Sequence, residues 1–241
     1  MVTIVIPTYN EAENIEELVA RIKNCLSGEY ELVVVDDASP DGTGKIAEKL
    51  SNNHPMKVIH RKRRLGLASA VLEGFKIASG ELICVMDSDL SHPPEIIPLL
   101  IKNLEIQNAD MVIASRFIPG GGIENWPKMR LLGTSLATLA VRPLTSVRDP
   151  MSGFFLLKKS VFSNLDLVPR GYKILLEILV KGRYKKAEEF PFIFKDRVYG
   201  SSKLNLKIYL EFTAQLFSLY FYKIKKIFLK KETPLIAGRC Q

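Results

Sequence analysis

Asp87 and Asp89 stand two residues apart in Val85-Met-Asp-Ser-Asp-Leu-Ser-His-Pro-Pro94, just past the apolar run Leu82–Met86. Two carboxylates at that spacing can both reach one divalent cation, directly or through water. Hard oxygen donors of this kind suit Mg²⁺ or Mn²⁺, with phosphate oxygens completing the shell. A cation held there would take up charge on a departing diphosphate. Taken alone, such a pair is equally a solvated turn. Two more polar clusters close apolar runs: Ile6-Pro-Thr-Tyr-Asn-Glu11 and Val33-Val-Val-Asp-Asp-Ala-Ser-Pro-Asp-Gly42. If all three runs are strands of one parallel sheet, their polar ends converge at one edge, and the metal reading gains weight.

Other candidates gather around that edge. A carboxylate of the Asp36–Asp37 pair is placed to accept hydrogen bonds from a base or ribose; Asp36 is equally suited to organising the Asp-Gly turn. Tyr9 either stacks on the base or caps the core edge. Arg116 follows the apolar run Met111–Ser115 and points into the same crevice. Arg130, Arg197 and Lys203 lie in or beside loops rich in Gly and Ser, such as Gly200-Ser-Ser-Lys203. Guanidinium groups grip phosphate oxygens in a bidentate fork, so these cations are candidates for clamping two anionic substrates. His54, His60 and His92 have no ligand spacing, and Pro93-Pro94 gives His92 a helix-opening role.

The elements that must position these groups alternate in kind. Val2–Ile6, Glu31–Asp36, Met56–His60, Leu82–Met86 and Met111–Ser115 are short, apolar and rich in β-branched residues, as buried strands are. Glu11–Leu26, Asp41–Asn52, Gly66–Ala78 and Pro93–Gln107 carry apolar residues at helical spacing. The alternation predicts an α/β fold: a Rossmann-like, mostly parallel sheet with helices on both faces. A loop at 117–130, a helix over Lys128–Val141, a strand after Asp149-Pro-Met-Ser-Gly-Phe-Phe155, a helix at Lys173–Lys181 and two short strands near Glu188–Phe194 complete it. The first strand does not end in Gly-x-Gly-x-x-Gly, so a dinucleotide-dependent oxidoreductase loses its main support.

The 241 residues carry 34 Lys and Arg against 26 Asp and Glu, a net charge of +8, which favours polyanions or an anionic surface. A nucleic-acid binder would show cations interleaved with aromatics on an exposed face, whereas the motif acids here line a crevice. We expect no nucleic-acid partner. Cys25, Cys84 and Cys240 lack disulfide or zinc spacing, which points to a reducing compartment. No signal peptide is visible, and the uncharged stretch Phe212–Tyr222 is too short to span a bilayer of about 30 Å. Leu204–Lys231 is a basic amphipathic helix, suited either to the plane of an anionic membrane or to packing on the domain with a solvated lysine face. The expected division is a catalytic domain at 1–202, a membrane-surface helix at 203–231 and a flexible tail at 232–241, on the cytoplasmic face of a membrane as a peripheral protein with no transmembrane segment.

The motifs Pro7-Thr-Tyr-Asn-Glu11, Val35-Asp-Asp-Ala-Ser-Pro-Asp-Gly-Thr43, Asp87-Ser-Asp-Leu-Ser-His-Pro-Pro94 and Asp149-Pro-Met-Ser-Gly-Phe-Phe155 together resemble family 2 glycosyltransferases of the GT-A fold. Glu124-Asn-Trp-Pro127, Gly171-Tyr-Lys-Ile-Leu-Leu-Glu-Ile-Leu179 and Arg197-Val-Tyr-Gly-Ser-Ser-Lys203 resemble the branch that makes dolichyl-phosphate mannose. The resemblance runs from about residue 2 to 210. It implies transfer of mannose from GDP-mannose to a polyprenyl phosphate with inversion. Pro7, Tyr9, Glu11, Val35 and Asp37 would surround the nucleoside, and Asp87, Ser88 and Asp89 would hold metal and diphosphate. Arg116 and Arg130 would bind the acceptor phosphate, making them catalytic with Asp89, and Arg197 and Lys203 would close a loop over the donor. Some relatives place Gln, a further metal ligand, where this chain has Ser91; the serine would ligate or hold a water. It also implies a membrane-surface partner and a small membrane-anchoring subunit. The alternatives are a UDP-glucose:polyprenyl-phosphate glucosyltransferase on the same scaffold and a catalytically silent membrane-binding subunit.

Overall fold

The computed structural model describes residues 1–124, 126–168, 173–195 and 206–231, with main chain only at 128, 206–209, 227 and 229–231. Its first half alternates β1 (Val2–Thr8), α1 (Ile15–Cys25), β2 (Tyr30–Asp36), α2 (Thr43–Ser51), β3 (Met56–His60), α3 (Leu67–Ile77), β4 (Leu82–Val85), α4 (Ile97–Ile106) and β5 (Met111–Ser115). The second half comprises β6 (Gly122–Ile123), α5 (Lys128–Val141), β7 (Phe155–Lys158), α6 (Ile174–Lys181), β8 (Ala187–Pro191), β9 (Ile193–Phe194) and α7 (Leu206–Lys231). The expected strands and helices all form, with ends shifted by a few residues; α1 starts later because Glu11–Asn14 is spent on a turn.

Seven strands make one sheet in the order β3-β2-β1-β4-β7-β5-β8. All neighbours pair in parallel except β7, which runs antiparallel to both β4 and β5. Alternate residues of β1 and β2 serve opposite cores. Ile4, Ile6, Leu32 and Val34 pack against α1, α2 and α4. Val5, Val33, Val35 and Ile83 pack against α3 and α6. Burial on both faces explains why these strands read as nearly continuous apolar runs.

Two features of this order set the site. Strand β1 lies between β2 and β4, so the connections leaving β1 and β4 diverge and open a crevice beyond their carboxyl ends. And because β7 runs antiparallel, its beginning lies beside the ends of β4 and β5: Phe155 is level with Val85 and Ile113. The segment Asp149–Phe154 is thereby delivered to the rim that carries the acid pair. The strand was legible in the sequence; its reversed insertion was not.

Helix α7 is docked on this body. Leu219 joins Val141, Leu144 and Leu176 in a third apolar cluster, with Phe212, Leu216 and Tyr220 against it. The Tyr220 hydroxyl donates to the Ala140 carbonyl at 2.6 Å, and Lys223 Nζ to the carbonyls of Pro143 and Leu144 at 2.7 and 3.1 Å. No helix among the described residues is long and apolar enough to cross a membrane.

Candidate active site

The turns after β1, β2 and β4 each hold one non-glycine residue in the left-handed region: Asn10 (φ 56°), Ala38 (φ 61°) and Leu90 (φ 62°). Such backbone is uncommon outside glycine and costs about 1–3 kcal/mol per residue, so it persists only where the surroundings hold it. They do so here. The Asn10 N–H donates to Ser39 Oγ at 3.0 Å, the Glu11 N–H to Thr43 Oγ1 at 2.9 Å and the Ala12 N–H to Asp41 Oδ2 at 3.1 Å, lacing the first turn to the second. Ser88 Oγ donates to the Pro7 carbonyl at 3.2 Å and ties the third turn to the first.

Within the third turn, Asp89 is buried, and its Oδ1 accepts the Ser91 N–H at 3.2 Å and the Ser91 hydroxyl at 2.5 Å. Ser91 therefore orients Asp89. Asp87 has a third of its side chain exposed, facing the crevice. Behind it His92 is buried at 2 % exposure and stacked on Phe154. Its Nδ1 accepts the Asp87 N–H at 2.9 Å, which leaves the neutral ring's proton on Nε2, 3.8 Å from Asp87 Oδ2. Burial lowers the pKa of His92 and favours that neutral form, while Asp87 and Asp89 oppose the shift. Proline spacing suggested only a helix-opening role for His92; the structure makes it the backing of the acid turn. Gly153 completes the wall, since a Cβ there would lie 3.1 Å from Asp87 Oδ2 and from the His92 ring.

Across from the acids stands a cationic wall. Arg116 is buried, with Nε and Nη2 donating to Asp149 Oδ2 and Oδ1 at 2.7 and 2.8 Å, while its own N–H donates to Oδ2 at 3.0 Å. The expectation of a guanidinium presenting its fork to a ligand needs correction: the Nε–Nη2 fork is given to Asp149, which leaves the Nη1 donors and the second Nη2 N–H outside that pair. Arg130, in the first turn of α5, lies 3.8 Å above the Trp126 ring, and the Arg116 guanidinium lies 5.5 Å from the same ring. Both cations thus pack against one indole. Asp149 is seated in turn by Glu189 of β8, whose carboxylate accepts the Arg148 and Asp149 N–H groups at 2.8 and 3.0 Å. Lys173 completes this wall: its Nζ donates to the Met151 carbonyl at 3.0 Å. Burial, with Arg116 nearby, pushes its pKa down to about 7. Asp149, Trp126 and Lys173 occur in the motifs that carry the family resemblance, but nothing in their spacing gave them roles.

The nucleoside side is more occupied than the sequence suggested. Asp36 accepts from Thr8 Oγ1, the Ser39 hydroxyl and the Ser39 N–H, so it organises the turn. Asp37 Oδ1 accepts from Arg61 Nη1 at 2.9 Å and the Leu65 N–H at 2.8 Å, and Oδ2 from the Gly66 N–H at 2.8 Å. A carboxylate has about four acceptor sites, so Asp37 keeps room for one further donor while anchoring the loop that opens α3. The Tyr9 ring carries the Arg64 guanidinium at 4.0 Å. Glu11 is buried and accepts from Asn14 Nδ2 at 2.7 Å at the start of α1. Val35 is fully buried and reaches a ligand only through its main chain, and Pro7 is buried beside it. Arg197 and Lys203 lie outside the described residues.

The residues present fit a divalent cation. No group of three or more His, Cys, Asp or Glu side chains arranged to hold a metal occurs among the described residues, so those residues supply at most two carboxylates here. That is the donor set of a Mg²⁺-type site completed by substrate phosphates and water. The bare glycine face beside Asp87 leaves it space.

A mostly parallel sheet opened at β1 and β4, with a carboxylate pair on one wall and seated guanidinium groups on the other, defines a GT-A glycosyltransferase. The chain belongs to glycosyl transferase family 2, whose model matches residues 3–166. It is 48% identical over 223 residues to the dolichol-phosphate mannosyltransferase of Pyrococcus furiosus, covering 90% of this chain and 63% of that protein's length. It is 37% identical over 235 residues to the enzyme of the same name from Saccharomyces cerevisiae, covering 92% of this chain and 87% of the relative. Among solved structures, glucosyl-3-phosphoglycerate synthase from Mycobacterium tuberculosis with Mn²⁺, UDP-glucose and phosphoglyceric acid superposes with a TM-score of 0.67 at 20% identity, covering 91% of this chain and 79% of that one. A mannosyltransferase from Pyrobaculum calidifontis with GDP-Man and Mn²⁺ gives 0.62 at 22% identity, covering 93% and 64%. At such identities these two establish the shared fold.

Proposed function

We propose that this glycosyltransferase moves mannose from GDP-mannose to a polyprenyl (dolichyl) phosphate with inversion, giving polyprenyl-phosphate mannose and GDP. The observation that carries this reading is the pairing of Asp87 and Asp89 on one wall with Arg116 and Arg130, bridged by Trp126, on the other. Relatives that share the activity's name and the GDP-Man complex on the same fold support the donor and acceptor.

An oxygen of the acceptor phosphate attacks the anomeric carbon while the bond to the GDP oxygen breaks on the opposite face. The phosphate is already anionic at neutral pH, so no strong general base is needed. Arg116 Nη1 and Arg130 orient that phosphate, and Trp126 fixes the spacing between them. Ser91 holds Asp89, and neutral His92 holds the turn of Asp87. Mg²⁺ or Mn²⁺ bound by Asp87 and Asp89 would offset charge on the leaving diphosphate. Arg197 and Lys203 are proposed to cover the donor.

The acceptor is a lipid, and α5 and α7 present surfaces for a bilayer. Leu210, Phe217, Phe221, Ile224 and Phe228 recur at helical spacing along the outer face of α7 and are 49–71% exposed. Met129, Leu132, Leu136 and Leu139 do the same on α5, beside Arg130. Exposed apolar stripes flanked by Lys225 and Lys226 suit an anionic membrane surface. We therefore read 1–202 as catalytic and 203–231 as the membrane-surface helix, peripheral on a cytoplasmic face. The same stripes would accept the apolar helices of a small anchoring subunit, and binding of the purified chain to protein-free liposomes separates the two.

Incubating the purified chain with labelled GDP-mannose or UDP-glucose and a phosphorylated polyprenol tests the transfer. Lipid-linked mannose that is lost with EDTA is expected. Lipid-linked glucose with no mannose product would select the alternative donor.

A further inference from the structure

The rings of His92, Trp126, Phe154, Phe192 and Phe194 meet behind the crevice. Among the described residues, Phe194 is the one ring in contact with both His92 and Trp126. Its centroid lies 5.8 Å from that of His92 at an interplanar angle of 76°, and 5.3 Å from that of Trp126 at 73°. These are edge-to-face contacts, a directed geometry that aromatic pairs prefer over a flat sandwich. The two neighbours serve different walls. His92 holds the main chain of Asp87 on the acid side. Trp126 packs against Arg130 and Arg116 on the cationic side, and the Arg116 guanidinium also lies 5.7 Å from the Phe194 ring. The main chain ties this segment to the cationic side. The Phe192 N–H donates to the Ser115 carbonyl, just before Arg116, at 3.1 Å, and the Phe194 carbonyl accepts the Glu124 N–H at 2.9 Å. Phe194 itself is 7% exposed and pairs with Ile123 of β6. A close-packed ring held in this way is a spacer, because its neighbours can shift only if it does.

Resting on the transfer reading, we propose that Phe194 is a positioning residue that sets the spacing between the wall for the leaving diphosphate and the wall for the acceptor phosphate. An inverting displacement needs the attacking oxygen, the anomeric carbon and the departing oxygen in line, with reacting atoms about 3–3.5 Å apart. Asp87 and Asp89 place one substrate, and Arg116 and Arg130 place the other. Neither set of contacts fixes that line; the distance between the walls does. Phe194 offers no polar group to either substrate and acts through imidazole on one side and indole on the other. Shortening its ring leaves each wall's polar groups present and misaligns what they hold. The signature is a loss of kcat with both substrates still bound as before, since the interaction lost is realised only in the transition state.

Phe194→Leu tests this, with Phe75→Leu as a control of the same size in the core on the other face of the sheet, where Phe75 stacks on Phe162. Both variants are expected to lower the melting temperature to a similar extent. Trp126 is the single tryptophan of the chain, so its emission reads the ring packing directly. That emission is expected to shift in Phe194→Leu and to stay as in the wild type in Phe75→Leu. With GDP-mannose and farnesyl phosphate as substrates, Phe194→Leu is expected to lower kcat by about ten- to hundredfold while each KM changes by less than about twofold. Phe75→Leu is expected to keep the wild-type kcat, and Phe194→Tyr, which retains the ring, to recover most of the rate. Should the leucine variant not fold, Phe194→Met is read in the same way. A Phe194→Leu enzyme with wild-type kcat or unshifted Trp126 emission, or one whose loss lies in the KM of a single substrate, would overturn the inference. A wild type that transfers no mannose at all is a different result: the transfer reading falls, and this inference with it.

Discussion

At the residue scale, the chemistry rests on pairs in which one member acts and the other holds it. Asp89 is held by Ser91, Asp87 by His92, and Arg116 by Asp149. The acting members were legible in the sequence because acids after strands and an arginine after β5 follow a known pattern. Most holding members were not, since Asp149 lies 33 residues from Arg116 and reaches it only through the reversed β7. The Arg116–Asp149 pair also makes a stability prediction. Asp149 is fully buried, and removing its carboxylate leaves a buried guanidinium uncompensated. Asp149→Ala is expected to lower unfolding stability by about 3–5 kcal/mol, read by denaturant titration. A change below about 1 kcal/mol would show that water or another group replaces the carboxylate readily. For Asp37, sequence reasoning offered a ligand role; the structure gives it Arg61, Leu65 and Gly66, a role set by a loop whose path no local pattern announced.

At the scale of elements, β1 to β5 and α1 to α4 were readable from period alone, because strands buried on both faces and helices buried on one leave unlike signatures. Helix α7 was the ambiguous case, with a membrane helix and a packing helix both open. The structure shows why the pattern read irregularly: α7 buries one apolar face on α5 and α6 and exposes another. Its outer stripe gives an element-scale prediction. Burying a phenylalanine ring is worth about 1.5–3 kcal/mol, so Phe217→Ser with Phe221→Ser is expected to weaken partitioning onto anionic liposomes by well over tenfold. Sedimentation with vesicles measures it, and turnover of a short, water-soluble acceptor is expected to stay the same. Unchanged sedimentation would remove α7 from the membrane contact.

For the whole molecule, the candidate crevice and a second network of paired charge sit at opposite ends of the sheet. The carboxyl ends of β1, β2 and β4 carry strained turns and charged walls; the amino ends carry Glu31, which bonds Thr3, Ser79 and Lys57. Burial works against ionisation of Glu31, but Lys57 and these hydrogen bonds outweigh it and hold its pKa at about 2, against 4.5 for the free side chain. A carboxyl depressed in the folded state stabilises above its unfolded pKa and loses that contribution as pH falls through the folded value. Stability is therefore expected to drop between pH 4.5 and about 2, and Glu31→Gln to flatten that part of the profile; an identical profile in the variant would assign the acid loss elsewhere. The account's central claim is that Asp87 and Asp89, facing a seated arginine wall, bring a sugar diphosphate and an acceptor phosphate together. Single-turnover transfer of labelled mannose to a phosphorylated polyprenol by wild type and Asp89→Ala, each with and without Mn²⁺, tests it most directly. The account predicts metal-dependent transfer by the wild type and a loss of about two to three orders of magnitude in the variant at unchanged melting temperature. Near-normal transfer by Asp89→Ala in the presence of EDTA would contradict it.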